Sequence, residues 1–300
     1  MRLVFLGTPE FAVPTLQALA HAHEVVLVVA QPSKPAGRGM KVQTPAVAIR
    51  ALDLGLPLVQ PAKIRNDEFL GLVRSLAPDA GIVVAYGKIL PAALLDIPKH
   101  GFLNVHASVL PQYRGAAPIQ RALEHGEHET GVTIMRVDEE LDHGPVLAIE
   151  RTPIDPDEHT PQLAARLSRL GAEALAAVLE NFAGAVETQQ DHAAATVAPK
   201  IDKPEGMVRW TDSAAMIYNK FRAFDPWPGL TAADLKLVDI RPASGSGTPG
   251  TILAIADDGV VVATGEGALR LITLQRAGKA RVSALELARG SGWKVGEHLS

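Results

Sequence analysis

Cysteine is absent from all 300 residues. Disulfides, thiolate-held metals and cysteine nucleophiles are therefore excluded, which suits a reducing compartment. Aromatic residues are scarce, at 4%, so the cores must be built from aliphatic side chains, and 47% hydrophobic residues supply them. No apolar run approaches the roughly 20 residues that cross a bilayer as a helix. The opening MRLVFLGTPEFAV meets Gly7 and Pro9 before it reaches the length of a secretion signal's apolar region. The expectation is a cytoplasmic protein with no membrane partner. H-E-x-x-H and G-x-S-x-G are missing as well, and the turn after the first strand lacks G-x-G-x-x-G. Gly7 is followed by Thr, Pro, Glu, Phe and Ala, and Pro9 removes an amide that a pyrophosphate would need. His125 and His128 in EHGEHE have no third ligand at a familiar spacing, so no metal is expected.

The net charge of −4 argues against a general binder of nucleic acid. Its distribution is uneven, however. Residues 270–294 carry Arg270, Arg276, Lys279, Arg281, Arg289 and Lys294 against Glu286 alone. The loop QPSKPAGRGMKVQTP (31–45) carries Lys34, Arg38 and Lys41 with no acidic residue. Forked guanidinium donors suit phosphate or a base edge, so this loop reads as a basic finger toward a phosphate-rich partner.

What is present has a clear order. Apolar runs LVFL (3–6), VVLVVA (25–30), LPLVQ (56–60), AGIVVAY (80–86), FLNVHAS (102–108), GVTIMRV (131–137) and PVLAIERTPI (145–154) alternate in part with helical patterns. That predicts an α/β, Rossmann-like, mostly parallel sheet with helices on both faces, closed by an amphipathic helix over 160–182. Residues 1–186 form the expected first domain, polar and proline-punctuated 187–206 a linker, and 207–300 a smaller second domain. Its short strands and Gly-rich turns suggest an OB-like β-barrel.

One strand has polar residues where a buried parallel strand favours Val or Ile. Alternation puts Phe102, Asn104, His106 and Ser108 on one face and Leu103, Val105, Ala107 and Val109 on the other. Asn104 and His106 thus point together at the carboxyl end of the strand, where open α/β sheets place ligands. A carboxylate to orient the imidazole is available in GVTIMRVDEELDHGPVL. Spacing leaves Asp138, Glu139, Glu140 and Asp142 as candidates, with Asp142 favoured by the Gly144-Pro145 turn beside it.

NVHASVLPQYRGAAPIQRAL, GVTIMRVDEELDHGP, QPSKPAGRGMKV and RAFDPWPG together resemble the 10-formyltetrahydrofolate-dependent formyltransferases, and within them the branch that formylates methionyl-tRNA. The resemblance implies catalytic roles for Asn104, His106 and Asp142. It implies folate contacts at Ser108, Val109, Leu110 and Pro111 and along Val84, Ala85, Tyr86, Gly87, Ile89 and Leu90. It also implies tRNA contact through Arg38, with Lys34 and Lys41 in the same basic loop. Val109, Gln112 and His143 depart from the residues usual in that pattern. The implied reaction moves a formyl group from 10-formyltetrahydrofolate, as co-substrate, to the α-amine of initiator methionyl-tRNA, by a monomer without metal. A formyltransferase for a small amine, such as a ribonucleotide or sugar-nucleotide, is the alternative. A non-catalytic RNA-binding protein on the same scaffold is a third reading, disfavoured by the intact Asn-His-Asp set.

Overall fold

The structure, a computed structural model, describes residues 1–36 and 41–299. Contacts group the chain into two units: Met1–Pro118 with Glu129–Ile154 and Leu163–Pro199, and Ile119–His128 with Asp155–Gln162 and Lys200–Ser300. Residues 119–128 and 155–162 thus group with the C-terminal part of the chain, and 187–199 with the N-terminal part.

In the first unit each of the seven apolar runs contributes a strand: β1 Arg2–Gly7, β2 Glu24–Val29, β3 Leu58–Val59, β4 Ala80–Val84, β5 Phe102–His106, β6 Glu129–Arg136 and β7 Val146–Pro153. Their order across the sheet is β7-β6-β5-β4-β1-β2-β3. Pairing is parallel from β3 through β5, and β6 and β7 are antiparallel. The physical reason for the last reversal is chain length, because residues 137–145 cannot supply the crossover of a dozen or more residues that a parallel partner requires. Leu3, Val4, Phe5 and Leu6 are fully buried, as a central strand covered on both faces demands.

Helices occupy both faces. Phe69, Leu70 and Val73 of the helix Asp67–Ser75 join a core cluster with Val4, Leu6 and Phe102. On the other face the long helix Thr160–Glu180 brings Gly171 so close to β5 that a Cβ there would lie 2.5 Å from Val105 Cγ1. Within the sheet, a Cβ on Gly81 of β4 would lie 2.1 Å from the buried ring of Phe102 on β5. Gly81→Ala is therefore expected to cost about 2 kcal/mol by overpacking, read as a lowered midpoint in urea at unchanged slope.

The 31–45 segment is more structured than a plain loop, since Lys34–Ala36 pairs antiparallel with Lys41–Gln43. Residues 187–206 also carry structure. Val197–Ala198 pairs in parallel with Arg114–Gly115, and Asp202 and Glu205 form a capping box on the turn Lys203–Gly206.

The second unit contains the helix Ala214–Ala223, N-capped by Ser213, and six antiparallel strands: β8 Leu230–Ala232, β9 Leu235–Ala243, β10 Ile252–Ala256, β11 Gly259–Ala263, β12 Ala268–Arg276 and β13 Arg281–Ser283. They pair in the order β8-β9-β12-β11-β10, with β13 also on β12. This topology is compatible with an OB-like barrel, although among the described residues the pairing is an open path. Arg121, buried, donates to Glu124 and Glu205 and holds the Glu205 carboxyl below the usual carboxylate range. Of the basic stretch, Arg270 pairs with Asp258 and Arg276 with Asp234, and Lys279, Arg281, Arg289 and Lys294 are exposed.

Candidate active site

Strand β5 carries its side chains as its alternation requires. Leu103 and Val105 are buried in the sheet core, whereas Asn104 and His106 share the face of Phe102. At the carboxyl end the chain turns through Ser108–Tyr113 and comes back beneath the imidazole. His106 Nε2 donates to the Tyr113 carbonyl at 2.9 Å. A carbonyl can only accept, so this bond fixes which ring nitrogen bears the proton there and leaves Nδ1 facing elsewhere.

What Nδ1 faces is Asp142. The separation from His106 Nδ1 to Asp142 Oδ2 is 3.6 Å, and Asn104 Nδ2 donates to Asp142 Oδ1 at 3.4 Å. Oδ2 also accepts the Gly115 N–H at 2.9 Å. The carboxylate is thus held at one oxygen and only loosely engaged at the other. The imidazole is 6% exposed and the carboxylate 11%, so charges here interact through little water.

The acidic loop before β7 positions that carboxylate by an unusual backbone. Asp142 has φ +51°, a left-handed conformation that costs a residue with a Cβ on the order of 1 kcal/mol unless its surroundings hold it. Next to it, a Cβ on Gly144 would lie 2.1 Å from the Arg136 carbonyl, so only glycine lets the loop close against the end of β6. Of the other acids weighed, Asp138 accepts from His143 Nδ1 at 2.7 Å and from the Glu140 N–H, and Glu139 and Glu140 are exposed.

The flanking segments reach the same end of the sheet. Val83 of β4 pairs with Asn104, and the chain beyond Val84 leaves the sheet with Ala85 at φ +47° and Gly87 at φ +81°. Ala85, Gly87 and Ile89 are exposed there, while Val84, Tyr86 and Leu90 are buried. Thr8 and Gln31 fix this turn by donating to the Tyr86 carbonyl. Burial pushes the Tyr86 phenol up to about 12, and among the described residues its hydroxyl has no partner. Ser108 is fully buried and donates to the Gln112 carbonyl at 2.6 Å, a turn bond that occupies its hydroxyl. Leu110 is buried, and Val109 and Pro111 are half-buried. Lys34 is exposed. Arg38 lies outside the described residues, as does the side chain of Lys41.

Three contributors carried no signal in the sequence. Tyr113 and Gly115 act through backbone groups, which no residue pattern announces, although Gly115, at φ +126° and with a Cβ that would lie 2.7 Å from the Ala198 carbonyl oxygen, has to be glycine. Gln190 sits in the polar segment ETQQDH, yet it is buried and donates to the carbonyls of both Asp142 and Gly144. Among the described residues no group of three or more His, Asp or Glu could hold a metal ion.

An amide N–H, an imidazole nitrogen and a carboxylate converge here without metal ligands. Such a set can stabilise an oxygen that becomes anionic and take up a proton released beside it. The formyl transferase family model matches residues 1–179, and the formyl transferase C-terminal domain model matches 200–292. A methionyl-tRNA formyltransferase of Thermus thermophilus is 46% identical over 303 residues, covering 100% of this chain and 99% of the relative. One from Citrifermentans bemidjiense is 47% identical over 297 residues, covering 97% and 93%. Among solved structures, the sugar 3N-formyl transferase WlaRD, in the presence of dTDP and 5-N-formyl-THF, shares the fold at TM-score 0.69 and 16% identity, covering 93% of this chain and 99% of that one.

Proposed function

Because this chain belongs to the formyl transferase family, with methionyl-tRNA formyltransferases as near-full-length relatives, we propose that it transfers the formyl group of 10-formyltetrahydrofolate to the α-amine of initiator methionyl-tRNA. The observation that carries the mechanism is the Asn104 Nδ2 donor and the His106 Nδ1 nitrogen, both set against the Asp142 carboxylate.

Attack of the amine on the formyl carbon makes that carbon tetrahedral and its oxygen anionic, and the bond from carbon to folate N10 then breaks. Asn104 donates one N–H toward Asp142 and has a second for that oxygen. His106, anchored at Nε2 by the Tyr113 carbonyl, presents Nδ1 from the same strand face, and as an imidazolium it donates from there to that oxygen. Each such donor is worth roughly 3–4 kcal/mol of barrier when it acts in a preorganised, water-poor site. The amine must lose a proton on forming the new C–N bond. Asp142 Oδ1 accepts it directly or through one water, since Oδ2 is held by the Gly115 N–H. The proton returns to N10 as the folate leaves, and no covalent enzyme intermediate is required.

The turn 85–89, exposed at Ala85, Gly87 and Ile89, and the half-buried Val109 and Pro111 border the same carboxyl end of the sheet, a setting suited to a flat, partly apolar donor. Lys34, Arg38 and Lys41 in the first unit, and Lys279, Arg281, Arg289 and Lys294 in the second, supply cations for tRNA phosphates. Their contribution to affinity weakens steeply with salt.

The direct test is to incubate the purified chain with 10-formyltetrahydrofolate labelled in the formyl group and with methionyl-tRNA, with amino-sugar nucleotides and ribonucleotide amines as competing acceptors. Label on the methionine α-amine is expected. Label on a small amine with none on methionyl-tRNA overturns the proposed acceptor.

A further inference from the structure

We propose that Gln190 is a positioning residue for Asp142, with Arg114 holding it in place; this rests on the role assigned to Asp142 above. The Gln190 carboxamide is buried and uses its full hydrogen-bonding capacity. Its Nε2 donates to the Asp142 carbonyl at 3.0 Å and to the Gly144 carbonyl at 2.7 Å. Its Oε1 accepts from Arg114 Nε at 3.2 Å and Nη2 at 2.6 Å. A guanidinium only donates, so Arg114 dictates which end of the amide faces it and directs the NH₂ at the loop.

The arrangement addresses a specific problem of the site. Asp142 is held in a left-handed backbone conformation that a residue with a side chain leaves readily once its neighbours release it. Rotation of that backbone would swing the carboxylate away from Asn104 and His106. Gln190 grips the backbone on both sides of the Asp142–Gly144 turn, while the N–H of Gly115, the residue after Arg114, grips the carboxylate itself. Both grips originate in one short pairing, Arg114–Gly115 with Val197–Ala198. The outer end of the relay is closed by His192, whose Nδ1 accepts from Arg114 Nη2 at 2.9 Å and whose ring stacks on that of His143 at 4.0 Å. The buried amide therefore does more than fill space, because each of its hydrogens ends on the turn that aims the proposed proton acceptor.

Gln190→Glu tests this. It keeps the size of the side chain and its acceptance from Arg114, and it removes both donors to the loop. Turnover with methionyl-tRNA is expected to fall about tenfold, with KM for each substrate within twofold of wild type and Tm nearly unchanged. In an Asp142→Asn background the same substitution should cost no further turnover, since a residue that acts only through the carboxylate has nothing left to position. Exchange of the Gly115 amide hydrogen with solvent should accelerate in Gln190→Glu. Gln190→Met, which adds no charge and removes the acceptor for Arg114 along with both donors, should lower turnover in the same direction.

Wild-type turnover in both Gln190 variants, or an equal loss in the presence and absence of Asp142, overturns the positioning role. Unchanged protection of the Gly115 amide overturns it too. Should the wild-type chain transfer no formyl group to methionyl-tRNA, the functional reading fails, and exchange at Gly115 still decides whether Gln190 holds the loop.

Discussion

Asp142→Asn should lower single-turnover formyl transfer about 10³-fold, within the range for loss of a general base, and leave the thermal midpoint within a few degrees of wild type. Asparagine is the informative replacement because it tolerates the left-handed backbone of residue 142. Its carbonyl oxygen can still accept the Gly115 N–H that Asp142 Oδ2 accepts. The variant therefore keeps the bond to the loop and removes the negative charge and the acceptor oxygen that faces Asn104. Alanine would confound the two effects, since it would meet the same φ of +51° without a side chain to bond Gly115. Substrate binding should change little, because the proton is lost only as the new C–N bond forms. A variant retaining more than a tenth of wild-type turnover would remove Asp142 from proton transfer.

Much of this arrangement was legible in the sequence, and the reasons differ by element. All seven apolar runs of the first unit became strands; β-branched residues bounded by Gly and Pro suit the central strands, buried on both faces, whereas the edge strand β7 is partly exposed. The alternation of β5 placed Asn104 and His106 on one face directly, since a period of two leaves no freedom. The acid was harder. Spacing alone offered four carboxylates, with Asp142 favoured by the Gly144-Pro145 turn; the positive φ that aims its side chain is not visible as a pattern of residue types.

The polar segment 187–206 shows the opposite case. Its composition is that of a linker, yet Gln190, Thr196 and Val197–Ala198 support the back of the site through a buried amide, a hydroxyl that accepts the Tyr113 N–H, and a two-residue strand pairing. Backbone-directed contacts of this kind can be made by ordinary polar residues and leave no signature. They also have a practical consequence. A chain cut near residue 190 loses part of the support of Asp142 along with the second unit, so its failure would not isolate a role for that unit in tRNA binding. The short helices Ala46–Asp53 and Ala284–Ser291 escaped the pattern too, as one or two turns give too few periods to stand out.

Asn104→Ala is expected to reduce turnover 10²- to 10³-fold, about 3–4 kcal/mol at 25 °C, by deleting one donor to the developing oxyanion. Folding should survive, because Asn104 is only half-buried and its side chain makes a long contact to Asp142. Asn104→Asp sharpens the test. It is isosteric, but it replaces the donor by an acceptor and sets a second carboxylate where Asn104 Nδ2 now lies 3.4 Å from Asp142 Oδ1. Two carboxylates so close do not both ionise, so one must hold a proton, and the site then lacks both the oxyanion donor and a free acceptor. Its rate should be as low as that of Asn104→Ala or lower, with KM for 10-formyltetrahydrofolate close to wild type in both. Combining Asn104→Ala with Asp142→Asn should cost less than the product of the single effects, because the two side chains touch and serve one transition state. Full multiplicative loss would mean that the amide and the carboxylate act in separate steps, and near-normal turnover in Asn104→Ala would leave the formyl oxygen without its proposed donor.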